Sequence, residues 1–406
     1  MPNSNLRLSS PPPQYAAAGD FLRVFCVFMI GWYHIWQQSW LAPVLTINGR
    51  RLDLTGYVRT GYMYVDLMLV LSGFLTYLPY AAGKERPAGA FYLRRALRIL
   101  PSYWLALLVM FLLAVTTPGF KDFRGLMLDL LAHLGFVHNL WGFSYNASRL
   151  NVVLWTLAVE VQFYALLPAL APVFKKHPIL SYLGMTAAGL SAMFLWTWEL
   201  PDTTLYVNRL PNMLVVYANG MLAAHLYARL CRVKKGRWAV ALVGTAVCVG
   251  AAAGILAIQR VQSHVNGYDL IRLGQLQWRW PLSACGAAFL LGGSLGFMPL
   301  RALLSNPPVR FLSGVTFNFY IWHQWLTVQL KKWRIPPYAA EANPNMAGEM
   351  PWQLHYTLLC FIVALIVATA LTYLVEKPGA KIGRRWIMSI TGKEGKHDAE
   401  KTGRTA

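Results

Sequence analysis

Two side chains that can do chemistry share one face of an apolar run near the start of the chain. The stretch from Arg23 to His34 reads RVFCVFMIGWYH. Eleven steps along an α-helix make about three turns, so the guanidinium and the imidazole point the same way, roughly 16 Å apart along the axis. That is about half of the ~30 Å hydrocarbon layer of a bilayer. Neither group is cheap to hold inside a membrane without a partner or a wet cavity. An imidazole in such a place offers acid–base or nucleophilic chemistry, and His34 is the first catalytic candidate, with Arg23 beside it.

Three further apolar runs carry polar side chains that need an explanation. GYMYVDLMLVLSGFLTYLPY places Asp66 near one end and Ser72, Gly73 and Phe74 near the middle. Asp66 and Gly73 are seven apart and share a helix face, where a backbone or a ligand can come close to the glycine. LWTLAVEVQFYALLP holds Glu160, with Tyr164 one turn away, and GVTFNFYIWHQWLT lines up Thr316, Tyr320, His323 and Thr327. His34, Asp66, Glu160 and His323 are predicted at similar depth, which argues for a shared site. The blander readings are specific. A lone histidine can be a structural hydrogen-bond partner, and Asp66 can pair with Arg59 or another cation. Glu160, far from either end of its run, needs a partner or a task. In FYLRRALRILPSYW, Arg94, Arg95 and Arg98 form a cationic helix face. Such a face is either a membrane-edge anchor or a clamp for phosphates.

These residues must be positioned by membrane-spanning helices. The chain has 406 residues, of which 56% are hydrophobic and 13% charged, against about a quarter charged in soluble domains. Long apolar runs recur throughout and the ~10-residue alternation of a β-barrel is missing, so the expectation is an all-α integral membrane protein. Ten spans are predicted, near 21–38, 62–81, 99–116, 152–172, 179–198, 209–228, 238–258, 280–299, 311–329 and 355–375. An interfacial or re-entrant helix is expected near 125–138, where Asp129, His133 and His138 sit in too short a run to span. Placing the N-terminus inside puts 24 of 37 basic and 6 of 16 acidic residues on the inner side, which predicts N-in, C-in by the positive-inside rule. This distribution accounts for the +21 formal charge without nucleic acid. Residues 1–20 read as a cytoplasmic segment with no cleavable signal peptide, 21–385 as the transmembrane domain, and 386–406 as a disordered cytoplasmic tail. The five cysteines lack metal-ligand spacing and read as buried thiols; no metal is expected.

The motifs, taken in order, resemble the acyltransferase 3 family of bacterial multi-pass membrane O-acyltransferases over about residues 20–385. The resemblance rests on Arg23 and His34; on Val65-Asp66 with Ser72-Gly73-Phe74; and on Arg95 and Arg98 with Pro101 and Tyr103. It continues through Trp155, Leu157, Glu160, Phe163 and Tyr164; Tyr320 and His323; and Glu376 and Pro378. Two departures are Met68-Leu69, where the family often has aromatics, and Thr156, where serine is common. The resemblance implies transfer of an acyl group, acetyl above all, from cytoplasmic acyl-CoA to a hydroxyl of a cell-surface carbohydrate or lipid-linked glycan precursor. It implies a cytoplasmic-membrane location, His34 as catalyst with Arg23 as its motif partner, and Arg95 and Arg98 as CoA contacts, with Ser72, Gly73 and Phe74 on the donor side.

On that reading His34 is a general base or takes the acyl group itself. Glu160, or less favourably Asp66, orients it, and Tyr320 or His323 stabilises the oxyanion. The alternatives are a transporter using the intramembrane ionisable groups as a path, and an acyltransferase acting on a cytoplasmic small molecule such as an antibiotic or lipid.

Overall fold

In the computed structural model the described residues are 16–84, 87–199, 204–233, 235–338 and 343–391. The apolar runs form long helices. The first is α1 (Ala17–Ser39), which ends where Trp40 turns left-handed. A hairpin of β1 (Val44–Ile47) and β2 (Arg50–Asp53) follows. Its turn is Asn48-Gly49, both at positive φ, the residue pair favoured in two-residue hairpin loops. Short α2 (Thr55–Arg59) leads into α3 (Tyr64–Ala81) and α4 (Ala88–Val115).

The predicted interfacial helix is α5 (Phe123–Leu134), capped by Asp122, which accepts from Gly125 N at 2.8 Å. Asp129 on α5 is fully buried and accepts from Arg149 N at 2.7 Å and Ser148 Oγ at 3.0 Å. It thereby fastens the loop that carries α6 (Gly142–Tyr145). The chain continues through α7 (Trp155–Lys176), α8 (Pro178–Glu199), α9 (Leu210–Leu230), α10 (Arg237–Ser263) and α11 (Tyr268–Leu295). Then come α12 (Met298–Leu304), α13 (Pro307–Lys332), α14 (Met350–Leu371) and α15 (Lys377–Thr391). Prolines in the first turns of α9, α13 and α14 occupy positions whose N–H has no helical partner. The helix at the C-terminal end runs five residues past the expected start of the tail at residue 386; residues 392–406 lie outside the described set.

Each of the ten expected spans lies on its own long helix. Among the described residues, seven helical stretches are long and apolar enough to cross a membrane. The helices α9, α11 and α13 fall outside that set because they hold polar side chains against other helices. Asn219 of α9 donates to Ser283 Oγ of α11 at 2.8 Å, and Asn318 of α13 donates to Thr372 Oγ1 at 2.9 Å and Glu376 Oε2 at 2.8 Å. Glu376 closes the π-helical turn Thr372–Glu376.

Two close approaches fix the centre of the bundle. A Cβ on Gly220 of α9 would collide with the Val70 carbonyl of α3, and one on Gly73 of α3 would lie 3.1 Å from the Tyr217 carbonyl. A Cβ on Gly31 of α1 would lie 2.8 Å from the Phe319 ring of α13. The absence of a side chain there lets α13 reach α1 next to His34.

Candidate active site

A cavity of about 100 Å³ lies between α1, α3, α4, α7 and α13. It is lined by Arg23, Ser72, Arg95, Arg98, Glu160 and Tyr320, together with Tyr164 and apolar side chains. Six candidate site residues, and with them Tyr164, Thr156 and Thr316, therefore meet in one chamber. Glu160 is held from two sides: the Tyr164 hydroxyl donates to it, and Ser72 Oγ donates at 2.5 Å. The Arg95 guanidinium lies 4.8 Å from the Tyr164 ring centroid and 5.7 Å from that of Phe91. Among the described residues Arg23 and Arg98 make no hydrogen bond or ion pair, so their N–H donors remain available to an anion in the chamber. A second cavity of about 230 Å³, with Lys84 and Arg94 on its wall, shares Arg95 and Arg98 with the first. Four basic side chains thus line this second cavity, a basic passage between the α3–α4 turn and the wall it shares with the chamber.

The histidines stand further along α1. The rings of His34 and His323 are 5.3 Å apart, centroid to centroid. Hydrogen bonding fixes the proton on each. Gln37 presents its carbonyl oxygen Oε1 to His34 Nδ1 at 3.0 Å and donates from Nε2 to the Tyr33 hydroxyl at 2.9 Å. Nδ1 of His34 therefore carries the proton and Nε2 keeps its lone pair. His323 Nδ1 faces the Tyr320 carbonyl at 2.8 Å and the Phe319 carbonyl at 3.2 Å, so it too is protonated. Its Nε2 is buried without a hydrogen-bond partner. Tyr320 links the two places: it lines the chamber, and its ring lies 5.6 Å from His323. Its hydroxyl donates to Val153 O at 3.1 Å and accepts from Thr156 Oγ1 at 2.8 Å.

This geometry corrects several expectations. The hydrogen-bond partner of His34 is Gln37, one helical turn on, instead of Glu160 or Asp66. Asp66 is committed to Arg279 of α11 at 3.3 Å, with both side chains fully buried. Arg279 also donates to Val207 O at 2.6 Å and Asn208 Oδ1 at 3.1 Å. Arg59, the other cation considered for Asp66, donates to Asn266 Oδ1 at 3.0 Å. The four ionisable groups expected at one depth fall into three places, because depth fixes height along the membrane normal and leaves each helix free to face a different neighbour. Of Ser72, Gly73 and Phe74, Ser72 faces the chamber; Gly73 abuts Tyr217, and Phe74 is buried against Tyr227. Sequence reasoning missed Gln37, although its i, i+3 spacing from His34 is a readable signal. It also missed Arg279, which stands just ahead of an apolar run and so read as a loop cation.

The five cysteines are free, and Cys26, Cys248 and Cys360 are buried. Among the described residues no group of three or more His, Cys, Asp or Glu is placed to hold a metal ion.

Peptidoglycan O-acetyltransferase OatA of Listeria monocytogenes serovar 1/2a is 24% identical over 343 residues, covering 76% of this chain and 49% of that protein. Nodulation protein 10 of Rhizobium leguminosarum bv. viciae is 28% identical over 172 residues, 39% of this chain and 44% of that protein. O-acetyltransferase OatA of Staphylococcus aureus is 30% identical over 172 residues, 38% and 24% respectively. The chain thus spans about half or less of the length of these relatives. No solved structure matches it significantly. The family model for the acyltransferase 3 domain matches residues 17–374, most of the chain and every element of the chamber, and the chain therefore belongs to the acyltransferase 3 family.

Proposed function

We propose that this protein is a membrane O-acyltransferase that moves an acetyl group from acetyl-CoA to a hydroxyl of a cell-surface glycan. The observation that carries the reading is the alignment of two places along α1. A chamber with unspent guanidinium donors lies at one end, and a histidine with a free Nε2 lies beyond it. The names of the relatives support a glycan acceptor.

The donor's phosphates dock at the basic passage, on Arg95 and Arg98 with Lys84 and Arg94 behind them, where charge-assisted hydrogen bonds suit phosphate oxygens. The passage then faces the cytoplasm, as the positive-inside rule requires, and the bundle sits in the cytoplasmic membrane with both ends of the chain inside. The pantetheine arm enters the chamber past Arg23 and Ser72. His34 Nε2 takes the proton of the acceptor hydroxyl as its oxygen attacks the thioester carbon. The new C–O bond replaces the C–S bond, and the proton passes to the departing thiolate to give free CoA. Glu160 holds Tyr164 and Ser72 in place and orders the chamber wall; His34 is oriented by Gln37.

Free-thiol release from acetyl-CoA by the purified protein in detergent, with a panel of glycan acceptors, tests the proposal. Wild type should release thiol, and His34→Ala should lose at least 100-fold in rate while keeping its fold and its affinity for CoA. Equal rates would remove His34 from the mechanism. No release from any acyl-CoA by folded protein would overturn the reading and favour a transporter.

A further inference from the structure

A third cavity lies at the other end of α1 from the basic chamber. It holds about 130 Å³ and is lined by Tyr33, Trp36 and Tyr62 together with Arg59, Gln262 and Ser263. Trp36 is thirteen residues beyond Arg23 on the same helix, about 20 Å along the axis. The cavity is therefore remote from the donor passage, yet it is one residue from His34. Tyr33 forms the wall between them. Its ring lies 5.1 Å from that of His34 on one side and 5.5 Å from that of Tyr62 on the other. Its hydroxyl accepts from the same Gln37 that orients His34.

The lining is of a particular kind. Three aromatic faces present apolar surface with polar edges. The polar groups among them are already held in position. Gln262 Nε2 donates to the Tyr62 hydroxyl at 2.8 Å and to Ile271 O at 3.1 Å. Arg59 reaches across to Asn266 at 3.0 Å, and its guanidinium carbon is 6.0 Å from the Trp36 ring. One bond uses one of the five N–H donors of that guanidinium. A pyranose ring has the matching character: an apolar face of C–H groups that stacks on aromatic rings, and a rim of hydroxyls that exchange hydrogen bonds with Arg, Gln and Ser. The volume accommodates most of one such ring, with the neighbouring sugars outside the mouth.

We infer that this cavity is the acceptor subsite, binding one pyranose residue of a glycan so that a hydroxyl passes Tyr33 to reach His34 Nε2. The inference rests on the proposed acyltransferase function and adds to it where the second substrate binds. Donor and acceptor then approach His34 from opposite ends of α1, which keeps the polyanionic donor and the glycan from competing for one mouth.

The test uses purified full-length protein in detergent and titrates a panel of fluorescently labelled tetrasaccharides, chitotetraose and maltotetraose included. Acetyl transfer is measured in parallel. At least one tetrasaccharide should bind wild type saturably, and Trp36→Ala and Arg59→Ala should each weaken that binding about tenfold or more. Val265→Trp, in the α10–α11 segment that lines the cavity, should block it by bulk while leaving the aromatic and Arg59 lining in place. In transfer assays the three variants should raise the acceptor KM about tenfold while the acetyl-CoA KM stays within twofold of wild type. Binding and transfer at wild-type levels in all three variants, or no tetrasaccharide binding to wild type, would overturn the inference. Saturable binding that the variants abolish, in a protein that consumes no acyl-CoA, would sustain this subsite and overturn the proposed reaction.

Discussion

The role proposed for His34 depends on one amide. Gln37 presents its carbonyl oxygen to His34 and its NH₂ to Tyr33. That contact suits the tautomer whose Nε2 is free, and in the proposed mechanism the neutral amide of Gln37 does for His34 what a carboxylate does in a catalytic triad. Gln37→Leu removes the acceptor and frees the tautomer. It should lower kcat about tenfold with both KM values little changed, and Gln37→Glu, which keeps an acceptor oxygen, should recover most of the loss. Steady-state kinetics with acetyl-CoA checks this. A Leu variant as active as wild type would show that ring orientation comes from packing alone, through His323 and Tyr33.

At the scale of elements, the buried Asp66–Arg279 pair ties α3 to α11 and, through Val207 and Asn208, to the segment before α9. A buried pair contributes little net stability relative to apolar replacements, whereas breaking it by removing one partner leaves an uncompensated charge and costs about 3–5 kcal/mol. Asp66→Asn alone should therefore lower the thermal midpoint in detergent sharply. The double variant Asp66→Leu with Arg279→Met removes both charges and should recover most of that loss, short of the bonds to Val207 and Asn208, and with it donor turnover, since neither residue lines the chamber. Loss of turnover in a double variant that has regained its stability would instead give Asp66 a direct part in the reaction. The α3–α9 contact is as strict. Gly220→Ala places a methyl against the Val70 carbonyl and should cost about 1–3 kcal/mol, read by the same melting experiment.

Across the whole molecule, the basic passage and the aromatic cavity occupy opposite ends of α1, so the proposed reaction has a direction only if the bundle has a fixed orientation. Removing both forks with Arg95→Ala and Arg98→Ala should raise the acetyl-CoA KM about tenfold or more and change kcat less. Orientation has its own test. Cysteines introduced as Asn48→Cys in the hairpin turn and Gly83→Cys in the α3–α4 turn are probed with a membrane-impermeant maleimide. On intact cells the hairpin cysteine should react and the α3–α4 cysteine should not, and inside-out vesicles should reverse the pattern. The opposite result would put the donor passage on the wrong side for cytoplasmic CoA.

What the sequence determined by itself follows from periodicity and membrane cost. Twenty-residue apolar runs have to be helices in lipid, so the all-α class and the ten long helices were legible, as were the polar side chains too expensive to be incidental. The order of motifs was enough to identify the family. Tertiary structure decided which of those polar groups meet. Helix rotation and neighbour choice are set by contacts such as Gly31 against Phe319 and Gly220 against Val70, and no local pattern encodes them. Glu160 therefore turns to Ser72 and Tyr164, Asp66 to Arg279, and His34 to Gln37 and His323. The hairpin at Asn48-Gly49 could have been read from its turn residues, whereas Arg279 could not have been assigned: its partner lies 213 residues away, and only packing brings the two charges together.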